Sequence, residues 1–470
     1  MFGTTEYRSG EVSVHRGTTP MPGYVLGAIT AMSEVVTAPS AAVRLPPATR
    51  LPKLFQGLAF ATSRRWLIRR LARRHGSVFV LNLPMFGRVL VVAEPELAKQ
   101  IFTTSPEELG NIQPNLSRMF GSGSVFALDR DEHRRRRRLL APPFHGKSMK
   151  NYEAIIEEET LRETAGWPEG RPFATLPSMM RITLNAILRA VFGADGAELD
   201  ELRRLIPPWV TLGSRLAALP KPERTYGRFS PWGRLAEWRR RYDIVIDKLI
   251  AAERADPNFE DRTDVLALML RSTYDDGSVM SRKDIGDELL TLLAAGHETT
   301  AATLGWAFER ITRHPEVLAA LVDEADNGGN ELRQAAILEV QRARTVIDFA
   351  ARRVYPPVFQ LGEWSIPRGH SMIVSIAQIH DDPDVFPDPE RFDPQRYIGS
   401  KPSSFAWIPF GGGTRRCVGA AFANMEMDVV LRTVLRHFTI ETTSVPAERW
   451  HCRGVAYTPK DGGRIVVRRR

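Results

Sequence analysis

The stretch that decides the fold is Phe410-Gly-Gly-Gly-Thr-Arg-Arg-Cys417-Val-Gly419. Three consecutive glycines free the backbone for tight turns and let its amides come close to whatever lies above them. A cysteine closes the turn, and the periodic run from Gly419 to His437 behind it predicts a helix. The start of a helix, with its unsatisfied amide donors and the positive end of the dipole, stabilises a thiolate. Arg415, two residues earlier, adds a cation. A lone free cysteine reads as a buried structural residue; the weight here comes from the whole string.

Upstream, Ala295-Gly-His-Glu-Thr-Thr300 interrupts the clearest helical pattern, Ser281 to Arg313. Ser281 is a good N-cap, with Asp284 completing a box-like start, and the helix should stop at His314 because Pro315 follows. Leu289, Leu292, Leu293, Gly296 and Thr300 form its stripe. A mid-helix glycine costs ~1 kcal/mol relative to alanine, so a weak centre in so long a helix needs a reason. On an exposed face Glu298 and Thr299 would simply be solvated. Glu339-Val-Gln-Arg342 places a carboxylate and a guanidinium on one helical face, a pairing that is common and weak at surfaces.

The chain has 470 residues and two cysteines, Cys417 and Cys452, too few for a disulfide framework and consistent with a reducing cytoplasm. Its net charge of +9 and pI of about 9.7 suit nucleic acid or an acidic protein as partner. The basic residues are dispersed except for Arg134 to Arg138 and Arg468 to Arg470, and no aromatic interleaving supports nucleic acid. The longest N-terminal apolar run, Tyr24 to Met32, is about nine residues against the ~20 a membrane span needs. Residues 1 to about 45, rich in Gly, Ser, Thr and Pro, read as a flexible arm, followed by a basic helix near 64–74. β-rich parts are expected near 77–92, as a hairpin, near 353–376 and near 438–470, where Asp461-Gly-Gly suggests a last hairpin. Residues 381–409 read as a Pro/Asp-rich meander.

Phe410, Gly413, Arg415, Cys417 and Gly419 match the cysteine-ligand loop of the cytochromes P450, and the chain from about residue 45 onward resembles that haem-thiolate monooxygenase family. The resemblance implies a mainly α fold with a small β lobe. It also implies a triangular helical body in one domain, 46–470, with haem b buried between the long central helix and the C-terminal helix, one per chain. Cys417 would ligate the iron, its thiolate favouring dioxygen cleavage, with Phe410, Gly411 and Gly419 in the cofactor loop and Gly296 opening a groove for dioxygen. Glu298 and Thr299 would relay protons, ordinary general-acid work. His133 and Arg137, four apart on one helix face, would grip the haem propionates with Arg353 and Arg415. Arg352 rivals Arg353, which its offset to Ile366-Pro-Arg-Gly369 favours. The other arginines of the run would face solvent or an acidic electron donor.

Glu339, Arg342 and Arg396, the last preferred to Arg391, would form a structural triad behind the meander. Ile347, Phe349 and Val455 are candidate substrate contacts, each equally suited to a core. The implied reaction inserts one atom of dioxygen into a small hydrophobic organic substrate. Its electrons would come from an acidic ferredoxin-type donor with a separate reductase, in a soluble cytoplasmic protein without a transmembrane anchor or nucleic acid. Two positions depart from the family pattern: Thr345 stands where proline is common, and Glu363 where glycine is. Two other readings stay open, a peroxide-driven oxygenase, which an intact Glu298–Thr299 pair disfavours, and a haem-thiolate sensor without turnover.

Overall fold

Wherever apolar residues recur at three and four, the computed structural model is helical. It describes residues 44–470 except 114, 145, 147, 194, 195, 218, 220 and 221, so all but the end of the expected arm lies outside the described residues. Its helices begin with α1 (Lys53–His75), α2 (Pro95–Thr103), α3 (Ser117–Phe120), α4 (Arg130–Leu140) and α5 (Ser148–Thr164). The middle of the chain adds α6 (Leu176–Phe192), α7 (Ala197–Leu216), α8 (Pro231–Ala255), α9 (Val265–Arg271) and α10 (Arg282–Ile311). Then come α11 (Pro315–Asn327), α12 (Glu331–Ala343), α13 (Ile376–His380) and α14 (Ala420–His437). The fold is mainly α with a small β lobe.

Ser281 caps α10 as expected, its Oγ accepting from the Asp284 N–H at 3.1 Å. The Asp284 carboxylate faces Arg136 at 3.4 Å. The helix stops at Ile311, three residues before the expected end. The Thr312 hydroxyl bonds back to the Phe308 carbonyl at 3.0 Å, a local bond that competes with continued helix. Helix α1 starts eleven residues before the basic stretch and kinks at Ser63 (φ −145°, ψ 41°). Leu54 and Leu58 in its first half are exposed, which is why no apolar stripe announced it.

The β lobe is a five-stranded sheet of β1 (Val78–Leu83), β2 (Gly87–Val92), β8 (Ser371–Ser375), β5 (Phe349–Val354) and β3 (Leu109–Gly110), in that order. Strands β1 and β2 form the expected hairpin, with Val80 opposite Leu90, and β2 runs parallel to β8. The two-residue period sorts side chains to opposite faces. Val78, Val80, Leu90 and Val92 pack with Met372 and Val374, whereas Phe79, Leu81, Val89 and Val91 pack with Leu67 and Leu71 of α1. Strand β5 begins at Phe349, four residues before the sequence reading placed it. Its Ala-Ala-Arg-Arg centre favours helix by propensity, and pairing with β8 overrides that preference. Beside the sheet, β6 (Val358–Leu361) and β7 (Trp364–Pro367) make a small hairpin. Arg44 is already tied down there: its carbonyl accepts from Ser365 at 2.9 Å and its guanidinium pairs with Glu363. That pairing accounts for the acidic residue at 363.

The C-terminal segment departs from expectation. Its hairpin is β10 (Trp450–Cys452) with β11 (Tyr457–Pro459). The strands after Asp461-Gly-Gly pair far away: β12 (Arg464–Ile465) with β4 (Phe173–Ala174), and β13 (Val467–Arg469) with β9 (Phe438–Ile440). Strands of two or three residues carry no pattern that names a distant partner.

Behind the meander, Glu339 and Arg342 are fully buried and paired through two contacts of 2.8 Å. Arg342 also donates to the carbonyls of His380 at 2.9 Å and Pro389 at 2.9 Å, and Glu339 accepts from the Asp393 N–H at 3.0 Å. Arg396 lies 3.6 Å from Glu339 and donates to the Asp388 carbonyl at 2.8 Å, whereas the Arg391 side chain is exposed. Thr345 has a job that proline lacks. Its hydroxyl bonds the Gln341 carbonyl at 3.0 Å and meets His380 Nδ1 at 2.9 Å. His380 Nε2 accepts from the Ile408 N–H at 3.0 Å, which assigns the ring proton to Nδ1 and pins the chain just before the cysteine loop.

This bridge needs a neutral ring. Burial, then Arg342 and Arg65, push His380 down to about 3. The unfolded chain therefore takes the proton first; the contribution to stability is whole above the free value of 6.5 and declines as pH falls toward about 3. We predict that His380→Gln loses roughly 2 kcal/mol less than the parent on going from pH 7 to pH 5. Denaturant unfolding at both pH values checks this, and equal acid sensitivity of the two proteins counts against it.

Candidate active site

The cysteine loop is held from below. The Cys417 N–H donates to the Phe410 carbonyl at 3.0 Å, and the Gly411 N–H to that of Ile408 at 3.0 Å. Gly411 and Gly413 have φ of 67° and 66°, in the left-handed region. A Cβ at Gly413 would lie 1.9 Å from the Phe102 carbonyl oxygen, and one at Gly412 2.4 Å from the Phe102 ring. Close packing on α2 thus requires these glycines.

Cys417 keeps accessible surface, yet its surroundings are dense enough that burial pushes the thiol up. The thiol thus combines dense surroundings with accessible surface. The Gly419 backbone, Arg137 and Arg416 favour the thiolate and are outweighed. Arg415, expected to be that cation, is instead bound to Asp129 at 2.9 Å and to the Leu128 carbonyl at 2.7 Å.

Helix α4 puts His133 and Arg137 one turn apart, with His133 buried. Burial, Arg415 and Arg137 push His133 down to about 3, so the ring is neutral. Arg352 belongs to the same group. It is buried, donates to the Gly412 carbonyl at 2.9 Å, and is pushed down to about 10 by burial and by Arg415. Arg353, favoured by sequence offset, points to the other side of β5, near the Gly369 turn. One residue of offset changes the face of a strand, and offset alone does not reveal which face is wanted. Arg136 is a second departure. Expected at the surface, it is buried and pairs with Glu288 of α10 at 3.0 Å and with the Tyr274 hydroxyl at 2.8 Å. Arg134, Arg135 and Arg138 lie outside and pair with nearby carboxylates.

Helix α10 packs against α14 and α6. In its otherwise buried middle, Leu292, Ala295, Gly296 and Thr299 are half-buried, and their spacing makes one strip. A Cβ at Gly296 would meet Ile187 of α6 at 3.2 Å, so helix packing is one reason for that glycine. The Thr299 hydroxyl donates to the Ala295 carbonyl at 2.8 Å. Glu298 is buried and ion-paired: Arg453 Nε lies 3.1 Å from its Oε1, and Arg453 Nη2 donates to Thr211 Oγ1 of α7 at 3.1 Å. Burial raises the Glu298 carboxyl pKa and Arg453 opposes that rise. Nearby, Glu426 of α14 is fully buried beside Thr300, and burial lifts its carboxyl well above the usual range.

Sequence reasoning missed Arg453, Asp129 and Glu426. Arg453 lies in a hairpin loop distant in sequence from Glu298, and nothing local announces their meeting. Of the candidate substrate contacts, Ile347 and Val455 are half-buried, and the Val455 N–H donates to Ser214 Oγ at 2.9 Å. The Phe349 ring packs on Arg64, 4.8 Å from its guanidinium carbon, and on Phe60.

An enclosed but accessible thiol, a converging set of His133, Arg137, Arg352 and Arg415, and an open strip on the long helix fit a haem with a thiolate ligand and two acidic side groups. The chain belongs to the cytochrome P450 family of haem-dependent monooxygenases, whose profile matches residues 45–462. Members bind haem b through a cysteine thiolate and use an organic substrate, dioxygen and a redox partner.

Among its relatives is a putative cytochrome P450 138 of Mycobacterium tuberculosis and Mycobacterium bovis, 83% identical over 93% of this chain and all of that protein. A putative cytochrome P450 135B1 from Mycobacterium tuberculosis is 38% identical over 90% of this chain and 91% of its own length. A retinoic acid-bound cyanobacterial CYP120A1 has the same fold, with a TM-score of 0.80 at 23% identity over 91% of this chain and all of that one. No helix among the described residues is long and apolar enough to cross a membrane.

Placement of the two neighbouring arginines generates a prediction. Arg352→Leu weakens haem retention by about tenfold or more, the weight of one charge-assisted hydrogen bond, whereas Arg353→Leu leaves it near the parent value. Haem transfer to apomyoglobin reads this out; equal losses from the two variants would refute the placement.

Proposed function

We propose that Cys417 is the thiolate ligand in this monooxygenase, with His133, Arg137, Arg352 and Arg415 facing the haem propionates. The observation that carries this reading is the Cys417 thiol, enclosed yet accessible, between α14 and a loop locked by its own backbone bonds. Haem, when bound, supplies the activation of dioxygen. The chain's part is to hold the sulfur, neutralise acidic groups and admit protons. Asp129, bound to Arg415 and to the Tyr355 hydroxyl, fixes that guanidinium from behind.

Glu298 and Thr299 are our candidates for proton movement. Glu298 Oε1 is held by Arg453, and the Thr299 hydroxyl is anchored to a helix carbonyl. A proton leaving the Glu298 carboxyl requires that carboxyl to be protonated in the working enzyme, so Arg453, which stabilises its anion, sets the pH range as a positioning residue. Ile347 and Val455, half-buried and apolar, support a small hydrophobic substrate. Exposed Arg416 beside the cysteine loop supports an acidic ferredoxin-type donor with a separate reductase. Two free cysteines support a cytoplasmic setting.

Two experiments test this reading. The ferrous carbon-monoxide complex should show the thiolate-type Soret band in the parent and lose it in Cys417→Ala; retention of the same band in the variant overturns the ligand assignment. Arg453→Leu should move the alkaline limb of the turnover profile to higher pH, because burial of Glu298 is then unopposed, and Arg453→Lys should restore it. An unmoved limb in Arg453→Leu removes Glu298 from the proton path.

A further inference from the structure

Away from the cysteine loop, arginines gather where α1, the end of α10, the end of α12 and β10 meet. A recess of about 100 Å³ there is lined by Arg65, Arg69, Arg310 and Arg344, with Asp381 and Trp450 among its other walls. The carboxylates are too few for the cations. Arg65 and Arg69 share one oxygen of Asp381, at 3.2 and 2.8 Å. Glu309, fully buried, is gripped by Arg310 at 2.5 Å and also serves Arg313 at 3.4 Å and Arg344 at 3.9 Å. The remaining acid, Glu390, is exposed and 3.9 Å from Arg69. Among the described residues, five guanidinium groups in and behind this recess thus share three carboxylates.

Two of the cations are visibly short of acceptors. Arg65 Nη1 and Arg344 Nε are withdrawn from solvent without a hydrogen-bond partner. Among the described residues, Arg344 donates through Nη1 alone, to the Ala343 carbonyl at 3.1 Å. Burial and the charges of Arg310 and Arg65 push Arg344 down to about 10. Withdrawing a cationic donor from water without an acceptor is costly, and crowding like charges adds to the cost. Aromatic stacking holds the cluster in place: the Arg65 guanidinium carbon is 3.9 Å from the Trp450 ring centre, and that of Arg344 is 5.3 Å from Trp306. Planar guanidinium forks held by indoles suit phosphate oxygens.

We propose that this recess binds a phosphate group, as free phosphate or a phosphomonoester, at a site separate from the cysteine loop. The anion would supply the acceptors and the negative charge that Asp381 and Glu309 leave wanting. The proposal does not depend on the ligand of the haem iron or on the proton path.

Isothermal titration of the haem-loaded protein with inorganic phosphate and with pyrophosphate, against sodium chloride of matched ionic strength, tests it. Saturable binding is expected in the parent, with affinity lowered about tenfold or more in Arg344→Gln and several-fold in Arg69→Gln. Arg69 is at the exposed rim, so its variant keeps the fold if Arg344→Gln does not. Arg204→Gln, at an exposed arginine of α7, should bind as the parent does. Co-sedimentation with phosphatidylcholine vesicles containing about a fifth phosphatidic acid distinguishes a lipid headgroup from a soluble source. Loss of vesicle or phosphate binding in Arg69→Gln sustains the site. Binding that is absent, unsaturable, or unchanged in both recess variants overturns it.

Discussion

The buried pair of Glu339 and Arg342 is the constraint on which the cysteine loop depends. Both groups are withdrawn from water, a cost that mutual attraction alone rarely recovers. Here the surrounding backbone completes the account: Arg342 reaches the carbonyls of His380 and Pro389, and Glu339 takes the Asp393 N–H. Such a network stabilises only one path of the chain, because any other path leaves a buried charge uncompensated, at about 3–5 kcal/mol. The meander therefore arrives at Ile408 in a single position, where His380 holds its amide. From there the Phe410 and Ile408 carbonyls close the loop around Cys417.

The charge balance differs between the cysteine loop and the middle of α10. Around the cysteine loop cations gather near Asp129, a carboxylate bound to Arg415. On α10 the balance is opposite: Glu298 is buried with one cation, Arg453, that arrives from another element. The first arrangement favours binding of acidic groups and keeps His133 neutral. The second holds a carboxyl whose protonation is set by competition between burial and one guanidinium. Arg453 also reaches Thr211, and its neighbour Val455 is bound by Ser214, so the hairpin loop, α7 and α10 are linked by polar contacts at Glu298.

The departures from sequence expectation share a cause. Arg136 turns inward toward Glu288 of α10; Arg352 joins the cationic cluster because β8 sets the face of β5; β12 pairs with β4, far upstream, and β13 with β9, the strand that directly follows α14. Each is a relation between segments distant in the chain, for which local periodicity carries no signal. Thr345 and Glu363, odd against the family pattern, are explained by His380 and Arg44 in the same way.

By itself the sequence determined the class of protein, the long helix with its Ser281 cap, the β1–β2 hairpin, and Cys417 as the residue of interest. These rest on short-range rules: capping, periodicity, and a glycine-rich string whose spacing is local. Tertiary structure decided which of two adjacent arginines faces the cysteine loop, that Arg415 is held by Asp129, that Glu298 is paired with Arg453, and that five arginines crowd around Glu309 and Asp381. The physical reason is that charge pairing and burial depend on distances through space, and residues far apart in the chain acquire those distances only when the helices pack.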